Sequence, residues 1–176
     1  MNKAILFIFS GLPAVGKSTL AKSVVKYFEA VYLRIDTIEQ GLKDLCHIDV
    51  EGEGYRLAYR MAADNLQLGN NVVADCCNPI ELTRREWEDV AVNNNCRFVN
   101  IEVVCSDKTE HKKRAEQRNA EVTNMKLPVW NDIENREYHE WHKSRIIIET
   151  AGKTIKQCQT ELKEKVADSL LKKGDG

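Results

Sequence analysis

An eight-residue loop, GLPAVGKS at Gly11–Ser18, limits the folds open to this chain more than any other stretch. The apolar run Ala4–Phe9 before it predicts a buried strand, and the residues after Lys17 have helical periodicity. A tight turn between a strand and a helix aims backbone N–H groups and the helix N-terminus at one point, which suits phosphate oxygens. Lys17 can reach the β- and γ-phosphates of a nucleotide, and the Ser18 hydroxyl can bind Mg²⁺. The nucleotide-binding residues predicted from this motif are Gly11, Leu12, Pro13, Ala14, Val15, Gly16, Lys17, Ser18 and Thr19.

The composition is typical of a globular chain without a strong charge bias. Its 176 residues predict one domain over residues 1–176, and the formal net charge of -1 gives no basic footprint for nucleic acid. The apolar runs are too short to cross a membrane, so we expect no membrane association. The six cysteines include no CxxC pair, which favours reduced thiols in a cytoplasmic protein.

Strand-like and helix-like segments alternate along the whole chain. Strands are expected at residues 4–9, 30–35, 72–74, 98–105 and 146–148. Helices are expected at residues 17–29, just after Asp36, at 54–68, after a capping box of Thr83 with Glu86, at 107–119, at 131–142 and after a box of Thr154 with Gln157. This alternation predicts an α/β fold with a parallel sheet covered by helices on both faces, and with its ligand at the carboxyl ends of the strands.

Two aspartates each follow a predicted strand and should therefore meet the loop in one crevice. Asp36 could take the proton of an acceptor hydroxyl, although an aspartate at this position is often only a helix cap. Asp75 ends the strand Val72–Asp75 and could bind Mg²⁺ through a water or contact a substrate, or could equally cap the loop that follows. Asp36 and Asp75 are both predicted as substrate-binding residues, and Asp75 with Ser18 as metal ligands.

Arginines supply the remaining candidates for charge stabilisation. Arg114 and Arg118 lie four residues apart on one helix face and could hold the phosphate oxygens during transfer. The alternative is a solvated face on which Glu110 and Arg114 form an i,i+4 pair. The poorly periodic segment 120–129 that follows is typical of a lid and favours the functional interpretation. Arg84 is a weaker candidate for a substrate contact.

These stretches together resemble the small P-loop kinases, a group that includes adenylylsulfate kinase, gluconate kinase, zeta toxin and polynucleotide kinase. The resemblance rests on GLPAVGKSTLA, RIDTIEQGL, VVADCCNP and EHKKRAEQR. It implies a P-loop NTPase three-layer α/β/α fold with strand order 2-3-1-4-5 and a helical lid region over ATP at about residues 107–142. It also implies that Asp36 is the base, that Lys17, Arg114 and Arg118 are catalytic, and that Gly152 lies beside the adenine.

The same resemblance leaves the acceptor open, because no family signature fixes it, and three positions depart from the family pattern. Ala14 and Val15 replace the glycine and small polar residue common in this loop, and Glu39 replaces the arginine that polynucleotide kinase has there. The expected function is an ATP- and Mg²⁺-dependent kinase that phosphorylates a hydroxyl of a small molecule. The alternatives are a polynucleotide or nucleotide-sugar kinase, and a switch that hydrolyses ATP without an acceptor. A nucleic-acid partner is not expected.

Overall fold

Five parallel strands form the centre of the computed structural model, which describes residues 3–172. The strands are β1 (Ile5–Ser10), β2 (Val31–Arg34), β3 (Val72–Asp75), β4 (Arg97–Val104) and β5 (Ile146–Glu149). They pair in the order β2-β3-β1-β4-β5, so the predicted strand order is confirmed. The central strands β1 and β3 consist almost entirely of buried residues, as a parallel sheet covered on both faces requires.

Helices cover both faces of the sheet, which confirms the predicted three-layer fold. They are α1 (Lys17–Phe28), α2 (Ile35–Cys46), α3 (Glu53–Gln67), α4 (Glu81–Asn93), α5 (Lys108–Gln117), α6 (Trp130–Glu134) and α7 (Ile155–Lys172). On one face, α1 and α7 pack against β1 in a cluster that includes Phe7, Phe9 and Leu162. On the other face, α3 and α4 pack against Leu6 and Ile8 in a second cluster. No helix within residues 3–172 is long and apolar enough to cross a membrane.

The helix predicted at residues 131–142 is wrong, because α6 ends at Glu134. Residues 135–145, which we call the strap, have no regular secondary structure. Arg84 donates hydrogen bonds to the carbonyl oxygens of His139 and Glu140, at 2.9 and 3.1 Å. The guanidinium also lies over the Trp141 ring, 4.1 Å from its centroid. These long-range contacts hold the strap in an extended path and override its local preference for a helix.

Helix starts agree with the sequence at two positions and disagree at two. Asp107 caps α5 by accepting hydrogen bonds from two backbone amides, and Thr154 with Gln157 forms the predicted capping box. The capping box predicted at Thr83 is wrong, because α4 begins at Glu81 and the Thr83 hydroxyl donates to the Ile80 carbonyl at 3.0 Å. Helix α2 begins at Ile35, earlier than expected, and Asp36 therefore lies in its first turn.

Candidate active site

The loop at Gly11–Ser18 is built from close backbone contacts. Gly11 has φ of 137°, and a Cβ atom there would lie 2.2 Å from the Val103 carbonyl oxygen, so a side chain cannot fit. Its N–H donates to the Cys77 carbonyl at 3.1 Å, which fastens the loop to the end of β3. Gly16, with φ of 98°, is the N-cap of α1, and no side chain caps the helix there. The first amides of α1 are therefore available to an anion.

Ala14 has φ of 68°, a left-handed conformation that glycine would adopt more readily. The loop therefore keeps its shape without a glycine at this position, and the alanine backbone is strained there. Neighbouring atoms hold the loop in this shape: the Thr150 hydroxyl donates to the Val15 carbonyl at 3.0 Å, and His111 Nε2 donates to the Pro13 carbonyl at 2.8 Å. Lys17 Nζ donates to the Leu12 carbonyl at 3.1 Å.

A cleft of about 590 Å³ opens above this loop at the carboxyl ends of the strands. Six of the residues predicted to be catalytic, to bind substrate or to bind metal line it together: Lys17, Ser18, Asp36, Asp75, Arg114 and Arg118. Pro13, Ala14, Gly16 and Thr19 line it as well. We call the part next to Gly11–Ser18 the loop end and the part around Asp36, Glu39 and Arg136 the far end. Gly11, Leu12, Val15, Gly152 and Arg84 are not among the residues that line the cleft.

The structure does not bring Arg84 to the cleft. Its side chain is 3% exposed and binds carbonyl oxygens of the strap and of the turn after β3. Burial lowers the pKa of this guanidinium, and its neighbours Tyr138 and Glu102 partly offset that effect. The predicted substrate contact of Arg84 is therefore replaced by a structural one.

Asp75 is 3% exposed and, among residues 3–172, receives one hydrogen bond, from the Tyr32 hydroxyl to Oδ2 at 2.6 Å. Burial raises the pKa of Tyr32 well above its usual range, the Asp75 carboxylate raises it further, and a hydrogen bond with Ser18 opposes this shift. The tyrosine thus stays protonated and donates to one of the two residues predicted to bind metal. The sequence analysis missed Tyr32, although strand periodicity puts it on the same side of β2 as Arg34 at the strand's end.

Asp36 lies at the far end of the cleft. Its carboxylate is 3.7 Å from Arg34 Nε, and it makes no hydrogen bond to a backbone amide within residues 3–172. The helix-cap interpretation therefore has no contact to support it here. Glu39 follows one turn later and also lines the cleft. Burial and the nearby Asp36 raise the pKa of Glu39, and Arg136 opposes this shift.

Arg118 lines the cleft with guanidinium nitrogens that lack hydrogen-bond partners among residues 3–172. Its Nε and Nη2 atoms are buried and have no hydrogen-bond partner in the described part of the chain. Burial lowers the pKa of this guanidinium, while the charge of Asp36 raises it. A buried donor without an acceptor is costly, so these atoms fit a site at which an anion binds.

Arg114 differs from Arg118 because its donors are occupied. It donates to the hydroxyl and the carbonyl of Thr150, at 2.9 and 3.0 Å, and forms an ion pair with Glu110. The i,i+4 pair considered from the sequence therefore exists, and Arg114 still lines the cleft. Glu110 also accepts a hydrogen bond from the Gly152 N–H at 2.9 Å.

Glu121 is a second residue that the sequence analysis missed. It accepts hydrogen bonds from Arg34 at 2.8 Å and from Lys22 at 2.7 Å, and it thereby joins the predicted lid region to β2 and α1. These bonds lower the pKa of Glu121. The partners are 87 and 99 residues away in sequence, so no local pattern could have indicated them.

The oxygen donors at the loop end suit Mg²⁺. Ser18 supplies a hydroxyl and Asp75 a carboxylate, and Mg²⁺ in nucleotide sites takes few protein ligands because phosphates and waters supply the rest. No cluster of three or more His, Cys, Asp or Glu side chains suited to a metal occurs in residues 3–172. The donor set therefore fits a metal that arrives with a nucleotide.

The strand order, the loop and the cleft define a P-loop NTPase fold. The AAA domain family (AAA_33) matches residues 6–137, and the chain belongs to this family. No curated protein matches the chain by sequence.

Solved structures share the fold at low sequence identity. The Mycobacterium tuberculosis APS kinase CysC, in complex with AMPPNP and APS, has a TM-score of 0.72 at 16% identity, and the match covers 95% of this chain and 99% of that one. A Sinorhizobium meliloti gluconokinase has a TM-score of 0.68 at 10% identity, with 99% of both chains covered. Chaetomium thermophilum Kti12, in complex with ADP-AlF3, has a TM-score of 0.68 at 20% identity, with 93% and 97% covered. The resemblance to small P-loop kinases is thus confirmed at the level of the fold.

Proposed function

We propose that this protein is an ATP- and Mg²⁺-dependent phosphotransferase that moves the γ-phosphate of ATP to a hydroxyl of a small molecule. The observation that carries the proposal is the buried, unpartnered pair of Arg118 donors, which line the same cleft as Lys17 and Asp36. Phosphoryl transfer depends on positioning and on neutralising charge at the transferred group, and this set of side chains offers both.

Each residue would have a distinct part in the reaction. Lys17 and the amides of the loop bind the β- and γ-phosphates, and Arg118 binds the oxygens of the group in transfer. Asp36 accepts the proton of the acceptor hydroxyl as its oxygen bonds to the γ-phosphorus, and the bond to the ADP oxygen breaks. Ser18 and Asp75 would hold Mg²⁺, which neutralises charge on the phosphate oxygens when bound.

Support for a kinase also comes from what the neighbours are. The Mycobacterium tuberculosis protein is a kinase for APS, and the Sinorhizobium meliloti protein is a gluconokinase. Their acceptors differ from each other, so the shared fold favours the reaction type without favouring one acceptor. Glu39 at the far end argues against a polynucleotide acceptor, since a carboxylate there repels a phosphate backbone.

The test is an ADP-release screen across nucleosides, sugars, adenylylsulfate, antibiotics and 5′-hydroxyl oligonucleotides. We expect ADP release to depend strictly on one class of small hydroxylated acceptor. ADP release at the same rate without any acceptor would instead identify an ATP-hydrolysing switch. Salt-sensitive activity on the oligonucleotide alone would identify a polynucleotide kinase.

Asp36→Asn tests the base. We expect it to lower phosphotransfer by about 10²-fold or more while nucleotide affinity is retained, because only the proton acceptor is removed. The matched control is Asp64→Asn on the exposed surface of α3, which should transfer normally. Lost nucleotide binding with normal residual transfer would show that Asp36 has only a structural role.

A further inference from the structure

We infer that Tyr32 is a positioning residue for the metal-binding carboxylate, and that it sets the affinity of the nucleotide complex for Mg²⁺. This inference rests on the proposed function, because it assumes that Asp75 and Ser18 face a metal that is bound with the nucleotide. It concerns a residue whose strand, β2, is adjacent to β3 and two strands from the loop strand β1.

The first step is the contact itself. The Tyr32 hydroxyl donates to Asp75 Oδ2 at 2.6 Å, and this is the one hydrogen bond that the Asp75 carboxylate receives within residues 3–172. The carboxylate of an aspartate can rotate about χ2 unless a hydrogen-bond partner restrains one of its oxygens. The tyrosine restrains Oδ2 and leaves Oδ1 without a hydrogen bond in the described part of the chain, so Oδ1 would be available to bind Mg²⁺ through a water.

The second step is the origin of the rigidity. Tyr32 is paired in register with Val73, and Arg34 with Asp75, so the two strands set the spacing of the tyrosine and the aspartate. The Tyr32 ring packs against the buried cluster beneath α1, which also contains Leu20 and Val24. The hydroxyl is therefore presented from a fixed ring.

The third step is the consequence for a metal. A hydroxyl in this place orients the Asp75 carboxylate before Mg²⁺ would bind there. Outer partners of this kind typically alter metal affinity by about 10- to 100-fold when they are removed.

The test compares Tyr32→Phe with Tyr138→Phe. Tyr138 is a matched control because it also donates to a buried carboxylate, Glu102 Oε1 at 3.1 Å, and it does not line the cleft. We would titrate Mg²⁺ into each protein with a fluorescent ADP analogue and measure the metal concentration at half-maximal nucleotide binding. Thermal unfolding of each variant shows whether it remains folded.

We expect Tyr32→Phe to raise the half-maximal Mg²⁺ concentration by about 10-fold or more, with little change in nucleotide affinity measured in EDTA. Tyr138→Phe should match the wild type. A double variant, Tyr32→Phe with Asp75→Asn, should need no more Mg²⁺ than Asp75→Asn alone, because the tyrosine acts through the aspartate.

Equal Mg²⁺ dependence of Tyr32→Phe and the wild type would overturn the role of Tyr32 and leave the proposed function intact. Additive effects in the double variant would also overturn it, because the tyrosine would then act apart from Asp75. A wild-type chain that binds the nucleotide equally well with Mg²⁺ and in EDTA would overturn the metal site itself. None of these results depends on having found the acceptor.

Discussion

Hydrogen bonds to backbone carbonyls hold the loop end of the cleft, whereas ion pairs of exposed carboxylates hold the far end. Gly11 has no room for a side chain, and the carbonyls of Leu12, Pro13 and Val15 each accept a hydrogen bond from a side chain. The far end instead depends on the exposed ion pairs of Glu121 and on the 3.7 Å contact of Asp36 with Arg34. Exposed ion pairs contribute little to stability, so we predict that the far end opens more readily than the loop end.

Lys17→Ala should have the largest effect, because it removes a positive charge from the loop end of the cleft. We expect the turnover of ATP to fall by about 10³-fold, since a preorganised group at the transferring phosphate cannot be replaced by water. Coupled ADP release measures this, and circular dichroism checks the fold. Lys26→Ala, an exposed lysine in the last turn of the same helix, is the control. Turnover near the wild-type value in a folded Lys17→Ala protein would remove Lys17 from the mechanism.

Arg118→Ala should have the next largest effect, and it should act on the rate of transfer rather than on nucleotide binding. We expect kcat to fall by about 10²-fold and nucleotide affinity to change little, because the guanidinium acts at the transition state. Removal of its buried, unpartnered donors should leave the protein as stable as the wild type or more stable. Arg118 follows the last residue of α5, Gln117, so it lies just outside the helix predicted to carry it. Lys113→Ala, exposed on α5, controls for the loss of a positive charge. A strong loss of stability with normal kcat would make Arg118 a structural residue.

Glu121→Gln tests whether the ion pairs of Glu121 hold the predicted lid region against α1 and β2. Loss of its charge weakens the pairs with Lys22 and Arg34, and we expect an exposed pair of this kind to be worth about 0.5 kcal/mol. Cleavage by protease at residues 118–129 should therefore become a few-fold faster. Glu116→Gln, which disturbs only an exposed pair within α5, should leave cleavage unchanged.

The ion pairs of Glu121 should also make protease cleavage of the predicted lid region depend on pH. The partners of Glu121 lower its pKa below the usual 4.5, so the stabilisation is complete above that value. It is lost as the pH falls through the lowered pKa, and cleavage of the wild type should rise there towards that of Glu121→Gln. A constant ratio of the two cleavage rates between pH 7 and the acid limit of folding would contradict this account.

Ala14→Gly should have the smallest effect and should favour the folded state. Relief of the left-handed alanine is worth about 1 kcal/mol, partly offset by the greater freedom of glycine in the unfolded chain. Urea unfolding measures the difference. Ala63→Gly within α3 should instead lower the free energy of unfolding by about 1 kcal/mol. A destabilised Ala14→Gly protein would show that the loop is not strained at this position.

The sequence predicts the loop end better than the far end for a physical reason. The strand, the turn at Gly11 and the helix after Lys17 have recognisable local sequence patterns, and all three were predicted close to their observed bounds. The strap depends on Arg84, more than 50 residues away, so its helical pattern was misleading. Tyr32 was missed because an aromatic residue in a short strand is typical of packing, and its hydroxyl only acquires a partner when β2 pairs with β3.

The hydrogen bonds from Arg84 to the strap end on carbonyl oxygens of the main chain. Every amino acid carries such an oxygen, so these hydrogen bonds do not depend on which side chains the strap contains, whereas the ring contacts of Tyr138 and Trp141 with Arg84 do. Arg136, which faces the far end of the cleft from this segment, can thus be exchanged without loosening the path of the backbone around it. Because backbone carbonyls hold the strap, a substitution at position 136 would alter the lining of the cleft without altering the path of the strap. Position 136 is therefore the place to begin a redesign of the proposed acceptor site.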